Sequence, residues 1–300
     1  MITVRRMLSG LRRTVGRAYR LGLGRGRMRT AVAHHFDTGF SIDREPLISI
    51  LIPTAGRGQR ILRCLETIRA RSTFSHYEII VVDNGGLPAD IEAALLGVRR
   101  LTLFARFNFA ANLNAAARAA KGAYLLFLND DIEVIASHWL EGLLECAFEP
   151  GVGAVGAKLL FPDGRLQHAG VAIVDGNPWH PAYGEPAASA PPAVREWVAV
   201  TGACLLTPRS LFLASGGFDE RFSLNYNDVD YCLRLHELGW RILCTPHAEL
   251  IHYEAMDRPG NSTVRPWELA LFKQLWGDNY RDPFYRAVDA APRTAQRQAA

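Results

Sequence analysis

Apolar residues between positions 46 and 130 follow two alternating rhythms. Nearly unbroken apolar runs occupy 47–52, 77–82, 101–104 and 124–128. Runs this short and continuous read as strands buried on both faces, the kind found inside a parallel sheet. Between them the period changes. Ile61, Leu62, Leu65 and Ile68 share one face of a helix predicted over 59–71, a short helix is expected over 90–96, and an alanine-rich helix over 110–120 stops at Gly122. Strand alternating with helix predicts an α/β fold with right-handed crossovers. Each of three strand runs also stops in polar residues, at Pro53-Thr54-Ala55-Gly56-Arg57, Asp83-Asn84-Gly85-Gly86 and Asn129-Asp130-Asp131. These fall on the sheet edge where open α/β sheets bind ligands.

The second half is patterned differently. A helix is predicted over 138–148, then short strands over 152–160 and 171–174. A Pro-, Ala- and Gly-rich stretch over 176–192 reads as a mobile substrate loop, because long loops inside compact domains are usually functional. Next come a strand over 197–206, a short helix over 208–215, and a helix running from Asn225-Tyr226-Asn227-Asp228-Val229-Asp230 through Leu238. The last strands are expected at 241–244 and 250–252, and the Ala/Arg-rich tail from about 287 reads as disordered.

Composition narrows the class. With 49% hydrophobic and 21% charged residues the chain can build an ordinary soluble core, and no apolar stretch reaches the length of about 18 residues that a membrane span needs. The five cysteines are scattered, without a C-x-x-C pair, which argues against a disulfide framework and fits a reducing, cytoplasmic compartment. Net charge is +4, but residues 1–30 hold nine arginines and no acid, which leaves the rest at −5. A mildly acidic body lacks the basic stripe that nucleic-acid binding requires. Residues 1–20 instead place Val4, Leu8, Leu11, Val15 and Tyr19 at helical spacing among arginines. Such a segment suits an anionic membrane surface, and a flexible basic tail reads equally from it; an organellar transit peptide would also be Arg-rich and acid-poor. Gly22, Gly24 and Gly26 follow no strand and read as a linker.

The candidate chemistry lies at the end of the 124–128 run. Adjacent Asp130 and Asp131 are costly side by side unless something offsets their charge. Mg²⁺ or Mn²⁺ does so well, since these ions prefer oxygen ligands and share them with substrate phosphates. The plain alternative is a solvated turn.

Four blocks in order settle the comparison: Ser49 to Thr54, Glu78 to Asn84, Asn114 to Asp131, and Gly216 to His252. Together they resemble inverting family-2 glycosyltransferases of the GT-A fold, particularly the rhamnosyltransferase-like, O-antigen-type branch. The resemblance implies one large α/β domain over 41–284 with a Rossmann-like, mainly parallel sheet flanked by helices. Its nucleotide-sugar half would be 46–135 and its acceptor half 136–284, after a basic segment and linker (1–40) and before a disordered tail (285–300). Pro53 and Thr54 would line the nucleotide pocket, Asp83 would bond the base or ribose, and Asn114 would sit near the nucleotide. Asn129 replaces the first acid of the family's Asp-x-Asp motif, which leaves Asp131 as the direct metal ligand, completed by His252. Asp130 would bind through water or touch the donor ribose or sugar, and Arg258 would pair with the diphosphate. Asn227 likewise replaces an acid ahead of Asp228, the implied general base, with Asp230 and Asp219 on the acceptor side. The implied partners are a nucleotide-diphosphate sugar and a glycan or glycolipid acceptor, and the cofactor is Mg²⁺ or Mn²⁺.

Two other readings compete. The stretch 55–60 is faintly similar to the Gly-rich loop of sugar-1-phosphate nucleotidyltransferases, and the two amides Asn129 and Asn227 give footing to a non-catalytic sugar-binding protein.

If residues 1–20 form a surface helix, their deletion should lower binding to anionic vesicles, and added salt should weaken binding of the full chain. Equal vesicle sedimentation by the truncated chain would return them to a solvated tail.

Overall fold

The computed structural model describes residues 34–35, 41–42, 45–54, 60–84, 87, 91, 94–103, 106–253, 264–277, 280 and 282–285. The basic amino-terminal segment, the glycine linker, Arg258 and the carboxy-terminal tail lie outside these.

The first half follows the predicted alternation. Strand β1 (Ile48–Thr54) leads to helix α1 (Arg60–Arg71), β2 (Tyr77–Asp83), β3 (Arg99–Thr102), α2 (Phe109–Ala119) and β4 (Tyr124–Leu128). Strand β1 pairs in parallel with β2 and with β4, and β2 pairs in parallel with β3. Along β1, Ile48, Ile50 and Ile52 face one hydrophobic layer, which includes Ile61, Leu65 and Ile68 of α1. Leu51 faces the other, with Ala110, Leu113 and Ala117 of α2. Alternate side chains of a strand point to opposite faces, so a continuous apolar run fills both layers at once. At 91, 94 and 95 the chain makes 3₁₀ turns, not the expected α-helix.

The second half adds β5 (Ile132–Val134), α3 (Trp139–Ala147), β6 (Val152–Leu160), β7 (Leu166–His168), β8 (Ala172–Val174), β9 (Asn177–Trp179), β10 (Arg195–Trp197), β11 (Cys204–Pro208), α4 (Arg209–Ala214), α5 (Asn227–Glu237), β12 (Arg241–His252) and α6 (Pro266–Trp276). The main sheet runs β10-β12-β6-β11-β4-β1-β2-β3, with β5 pairing β12 and β7 pairing β6. It is mixed and mainly parallel. Strand β11 is wedged antiparallel between β4 and β6, while β6 and β12 are parallel.

Several boundaries depart from the pattern. The expected strand over 197–206 is two strands in different parts of the sheet. Residues 198–203 must pass from β10, beyond β12, to β11, beyond β6, a width of about 4.8 Å for each strand crossed. The crossing is almost wholly buried, so its apolar sequence looks like a strand. Glycines make room for it: a Cβ on Gly156 would stand 2.5 Å from Val200, and one on Gly170 would stand 2.3 Å from the Trp197 ring. Conversely, the strands expected at 241–244 and 250–252 are one strand, β12, whose register shifts between Thr245 and Glu249. Pro246 lies in that irregularity, where a missing N–H is tolerated. The stretch 176–192 is no featureless loop either. It contains β9, which forms a hairpin with β8, and a 3₁₀ turn at Ala187–Ser189.

Gly122 sets how β4 enters the sheet. Its N–H donates to Ser49 Oγ at 2.8 Å, and that hydroxyl donates to Glu78 at 2.6 Å. A Cβ there would stand 2.6 Å from Ser49 N and 2.8 Å from Leu47 O, both backbone atoms with no freedom to retreat. Gly122→Ala should therefore destabilise the fold by about 1–3 kcal/mol, read as a lower urea midpoint at unchanged m-value.

Candidate active site

The site begins where β4 ends. After Leu128 come Asn129, Asp130 and Asp131, and the chain then turns back into the three-residue strand β5. This strand pairs antiparallel with the end of β12, Ile132 opposite His252, and Tyr253 N–H donates to Asp131 O at 3.0 Å. Two segments far apart in sequence thus present their side chains to one another. His252 Nε2 stands 3.1 Å from Asp131 Oδ1 and 3.1 Å from Asn129 Nδ2.

The other face of the imidazole fixes its chemistry. His252 Nδ1 lies 2.7 Å from Gln167 Oε1, and Gln167 Nε2 donates to the His252 carbonyl at 3.4 Å. A carbonyl oxygen only accepts, so Nδ1 carries the hydrogen and the neutral ring turns its Nε2 lone pair toward Asp131. Nε2 then accepts from Asn129 Nδ2 and also faces Asp131 Oδ1, a second acceptor that is buried and has no hydrogen-bond donor. A proton on Nε2 satisfies the pair, and so does a cation held between them. Burial alone would raise the Asp131 carboxyl, but His252 and Arg60, whose Nη1 lies 3.4 Å from Oδ2, hold it below the ordinary carboxylate value. Burial pushes its neighbour Asp130 up to about 6, against a hydrogen bond from Thr54. The carboxylate oxygen suits Mn²⁺ or Mg²⁺, and the imidazole nitrogen is a donor that first-row metals accept more readily than Mg²⁺ does. Among the described residues no third His, Cys, Asp or Glu joins them.

A second acidic group approaches the same edge. Cys204 of β11 pairs with Leu128, and the Thr201-Gly202-Ala203 turn leads into that pairing. Asn129 N–H donates to Ala203 O at 3.0 Å, while Gly202 N–H donates to Asp228 Oδ2 at 2.6 Å. The turn therefore has the Asn129–Asp131 segment on one side and Asp228 on the other. Asp228 Oδ1 also accepts from Val229 N–H at 2.8 Å. The carboxylate keeps some exposure, yet the protein packed around it pushes its pKa up against those two hydrogen bonds.

Other buried groups shape the entry to α5 and the 216–220 loop. Glu268 of α6 is fully buried and accepts from the N–H groups of Ser223 (2.7 Å), Leu224 (3.0 Å) and Asn225 (2.9 Å). It fixes the turn that enters α5 through Tyr226, whose φ is +65°. Asp230 is buried, and both of its oxygens are engaged, by Arg234 Nε at 2.9 Å and Trp276 Nε1 at 3.0 Å. Arg234 in turn donates to Ser215 O and Gly217 O. Asn114, expected beside the nucleotide, also turns toward this loop. Its carboxamide donates to Phe218 O (2.9 Å) and Glu220 Oε1 (3.0 Å) and accepts from Phe218 N–H (2.9 Å). Gly217 has φ +71°, and a Cβ there would stand 2.5 Å from Asn114 Oδ1. Asp219 pairs with Arg221 of the same loop at 2.6 Å.

Pro53, Thr54 and Asp83 end adjacent strands, Thr54 in register with Asp83. Asp83 is completely buried, and its carboxylate takes a 3.0 Å hydrogen bond from Arg100 Nε. Sequence reasoning missed Gln167, the Thr201–Ala203 turn, Arg60, Arg100 and Glu268. None sits in a motif of regular spacing, and only the fold makes them neighbours of the site.

Set beside solved structures, the fold is that of GT-A glycosyltransferases. GalNAc-T7, solved with UDP, GalNAc and Mn²⁺, matches with a TM-score of 0.66 at 15% identity, over 80% of this chain and 50% of that one. Residues 49–174 match Glycosyl transferase family 2, and the chain carries a domain of that family. It is 36% identical over 254 residues to the O-antigen biosynthesis protein RfbC of Myxococcus xanthus, covering 80% of this chain but only 20% of RfbC's length. It is 27% identical over 244 residues to an N-acetylglucosaminyl-diphospho-decaprenol L-rhamnosyltransferase of Mycobacterium tuberculosis, over 70% of this chain and 76% of that protein.

Gln167→Leu removes the acceptor that keeps the His252 Nε2 lone pair toward Asp131. It should weaken Mn²⁺ binding by about 10–100-fold, the usual loss when a ligand's outer partner goes. Titration calorimetry with Mn²⁺ checks this, and unchanged affinity would show that the orientation of His252 does not matter.

Proposed function

We propose that the protein is an inverting glycosyltransferase. It moves a sugar from a nucleoside-diphosphate sugar to a hydroxyl of a glycan or glycolipid in cell-surface polysaccharide synthesis. One observation carries this reading: the Thr201–Ala203 turn has Asp131 and His252 on one side and Asp228 on the other. A divalent ion and a general base are the two elements that such a displacement requires.

Asp131 and His252 hold Mg²⁺ or Mn²⁺, with donor phosphates and water supplying the remaining oxygens, as these ions commonly arrange. The ion's contribution is to neutralise charge on the departing nucleoside diphosphate. Pro53, Thr54 and Asp83 line the nucleotide site, Asp130 contacts the donor ribose or sugar, and Arg258 reaches the diphosphate. Asp228 takes the proton from the acceptor hydroxyl as its oxygen attacks the anomeric carbon. Gly202 and Val229 N–H groups fix the direction of the Asp228 carboxylate, and burial raises its affinity for that proton. Asp230, Asn114 and Asp219 shape the acceptor side through the 216–220 loop. The mycobacterial relative's name specifies a lipid-diphosphate acceptor and a deoxyhexose, which supports a glycolipid acceptor here. No helix among the described residues is long and apolar enough to cross a membrane. In this reading the acceptor is met at the cytoplasmic face, with residues 1–20 as the peripheral contact. The nucleotidyltransferase and non-catalytic readings leave Asp228 without a task.

Asp228→Asn keeps shape and hydrogen bonding but cannot accept a proton. Turnover should fall by about 10²-fold or more, while nucleoside-diphosphate affinity should change by less than about tenfold, or 1.4 kcal/mol. Because the folded-state pKa is raised, wild-type activity should fall with decreasing pH at a limb above the ordinary carboxylate value, and Asp228→Asn should lose that limb. The product anomer should be inverted. Near-normal turnover of the variant, or a retained anomer, would overturn the assignment.

A further inference from the structure

Beside this site lies a pair of histidines that the proposed chemistry does not use. His168 ends β7 and is 1% exposed, and His180 follows β9 and is half-buried. Their Nδ1 atoms stand 3.0 Å apart, with the rings edge to face at 5.0 Å between centroids. Two imidazole nitrogens this close share one hydrogen, and a backbone group decides which ring supplies it. Thr201 N–H approaches His168 Nε2 at 3.4 Å. A backbone amide can only donate, so His168 Nε2 accepts and its hydrogen is on Nδ1. His168 Nδ1–H therefore donates to His180 Nδ1. That leaves the His180 hydrogen on Nε2, pointing away from the pair.

Location gives this donor its meaning. Thr201 begins the turn whose next residue, Gly202, holds Asp228. Gln167, which orients His252, immediately precedes His168. The relay therefore starts between the two acidic groups and ends on the segment that carries His180. That segment is fixed on both sides: by the β8–β9 hairpin before it, and by Gly184 N–H to Leu166 O (2.7 Å) and Leu166 N–H to Glu185 O (2.7 Å) after it. Tyr183 packs edge-on to Phe161 at 5.1 Å and so braces the turn after His180. Burial keeps both rings neutral near pH 7, His168 well below the ordinary histidine value and His180 down to about 4. A neutral N–H donor can bond a hydroxyl oxygen, and the pair lies on the Thr201 side of the turn that holds Asp228.

We propose that His180 is an acceptor-specificity residue, whose Nε2–H, oriented by His168 and the Thr201 backbone, donates a hydrogen bond to a hydroxyl of the acceptor sugar. This rests on the glycosyltransferase reading. Nitrogen-15 NMR of the full chain labelled in histidine should show His168 protonated on Nδ1 and His180 on Nε2, and the reverse order would overturn the proposal. Octyl glycosides serve as acceptor probes. Adding one that is glycosylated should shift the His180 Nε2 resonance, and if no octyl glycoside shifts it the proposal falls. His180→Phe should raise KM for the glycoside by about tenfold or more, the scale of one lost hydrogen bond to a substrate hydroxyl, with affinity for UDP, GDP or dTDP and Mn²⁺ within twofold. His180→Gln, which keeps an N–H at the Nε2 end, should recover most of the loss. Wild-type KM in His180→Phe, with nucleotide binding intact, would sink this proposal alone. Failure of the wild-type protein to bind any of these nucleotides would instead remove the glycosyltransferase reading beneath it.

Discussion

Two hydrogen-bond acceptors facing each other at 3.1 Å organise this molecule's functional edge. Asp131 Oδ1, which lacks a donor, would move away from the Nε2 lone pair if it were free to find one. They stay together because β5 is pinned antiparallel to the end of β12, and because Gln167 holds the far side of the imidazole. A second clasp lies just behind. Glu133 of β5 accepts two hydrogen bonds from Arg63, at 2.7 and 2.8 Å, and one from the Tyr253 hydroxyl at 2.8 Å. Those partners, Arg63 first, lower the Glu133 carboxyl and bind the residue after His252 to the strand after Asp131. The scaffold thus opposes the relaxation that would move Asp131 Oδ1 away from His252.

The same device recurs around α5. Glu268 gathers three consecutive backbone N–H groups, and Asp230 joins Arg234 to Trp276. Buried carboxylates are costly unless paired and fully hydrogen-bonded, and these two are. What they provide is placement: one fixes the turn before Asp228, the other fixes the loop around Gly217. Asp228 itself is held more lightly, by two backbone N–H groups, with part of its surface exposed.

The apolar runs by themselves determined the first half of the fold. A run such as Leu125–Leu128 can only be a strand covered on both faces, and a strand covered on both faces ends where its polar residues begin. Asn129 to Asp131, Thr54 and Asp83 were therefore placed on one sheet edge before any coordinates. The acidic pair at 130 and 131 was legible for a similar reason, since adjacent charge at the end of an apolar run stands out, whereas Asp228 was picked out only by the resemblance to a family. Tertiary structure alone decided what periodicity cannot encode. Residues 198–203 are as apolar as a strand, yet they cross beneath the sheet because β10 and β11 belong to different neighbours. Asn114 was expected near the nucleotide and Asp230 on the acceptor side, and only the fold shows that Asn114 meets Phe218 and Glu220 and that Asp230 meets Trp276. Gln167, His168 and His180 carry no local signal, because a hydrogen-bond relay is defined by which atoms meet across the fold and not by spacing along the chain.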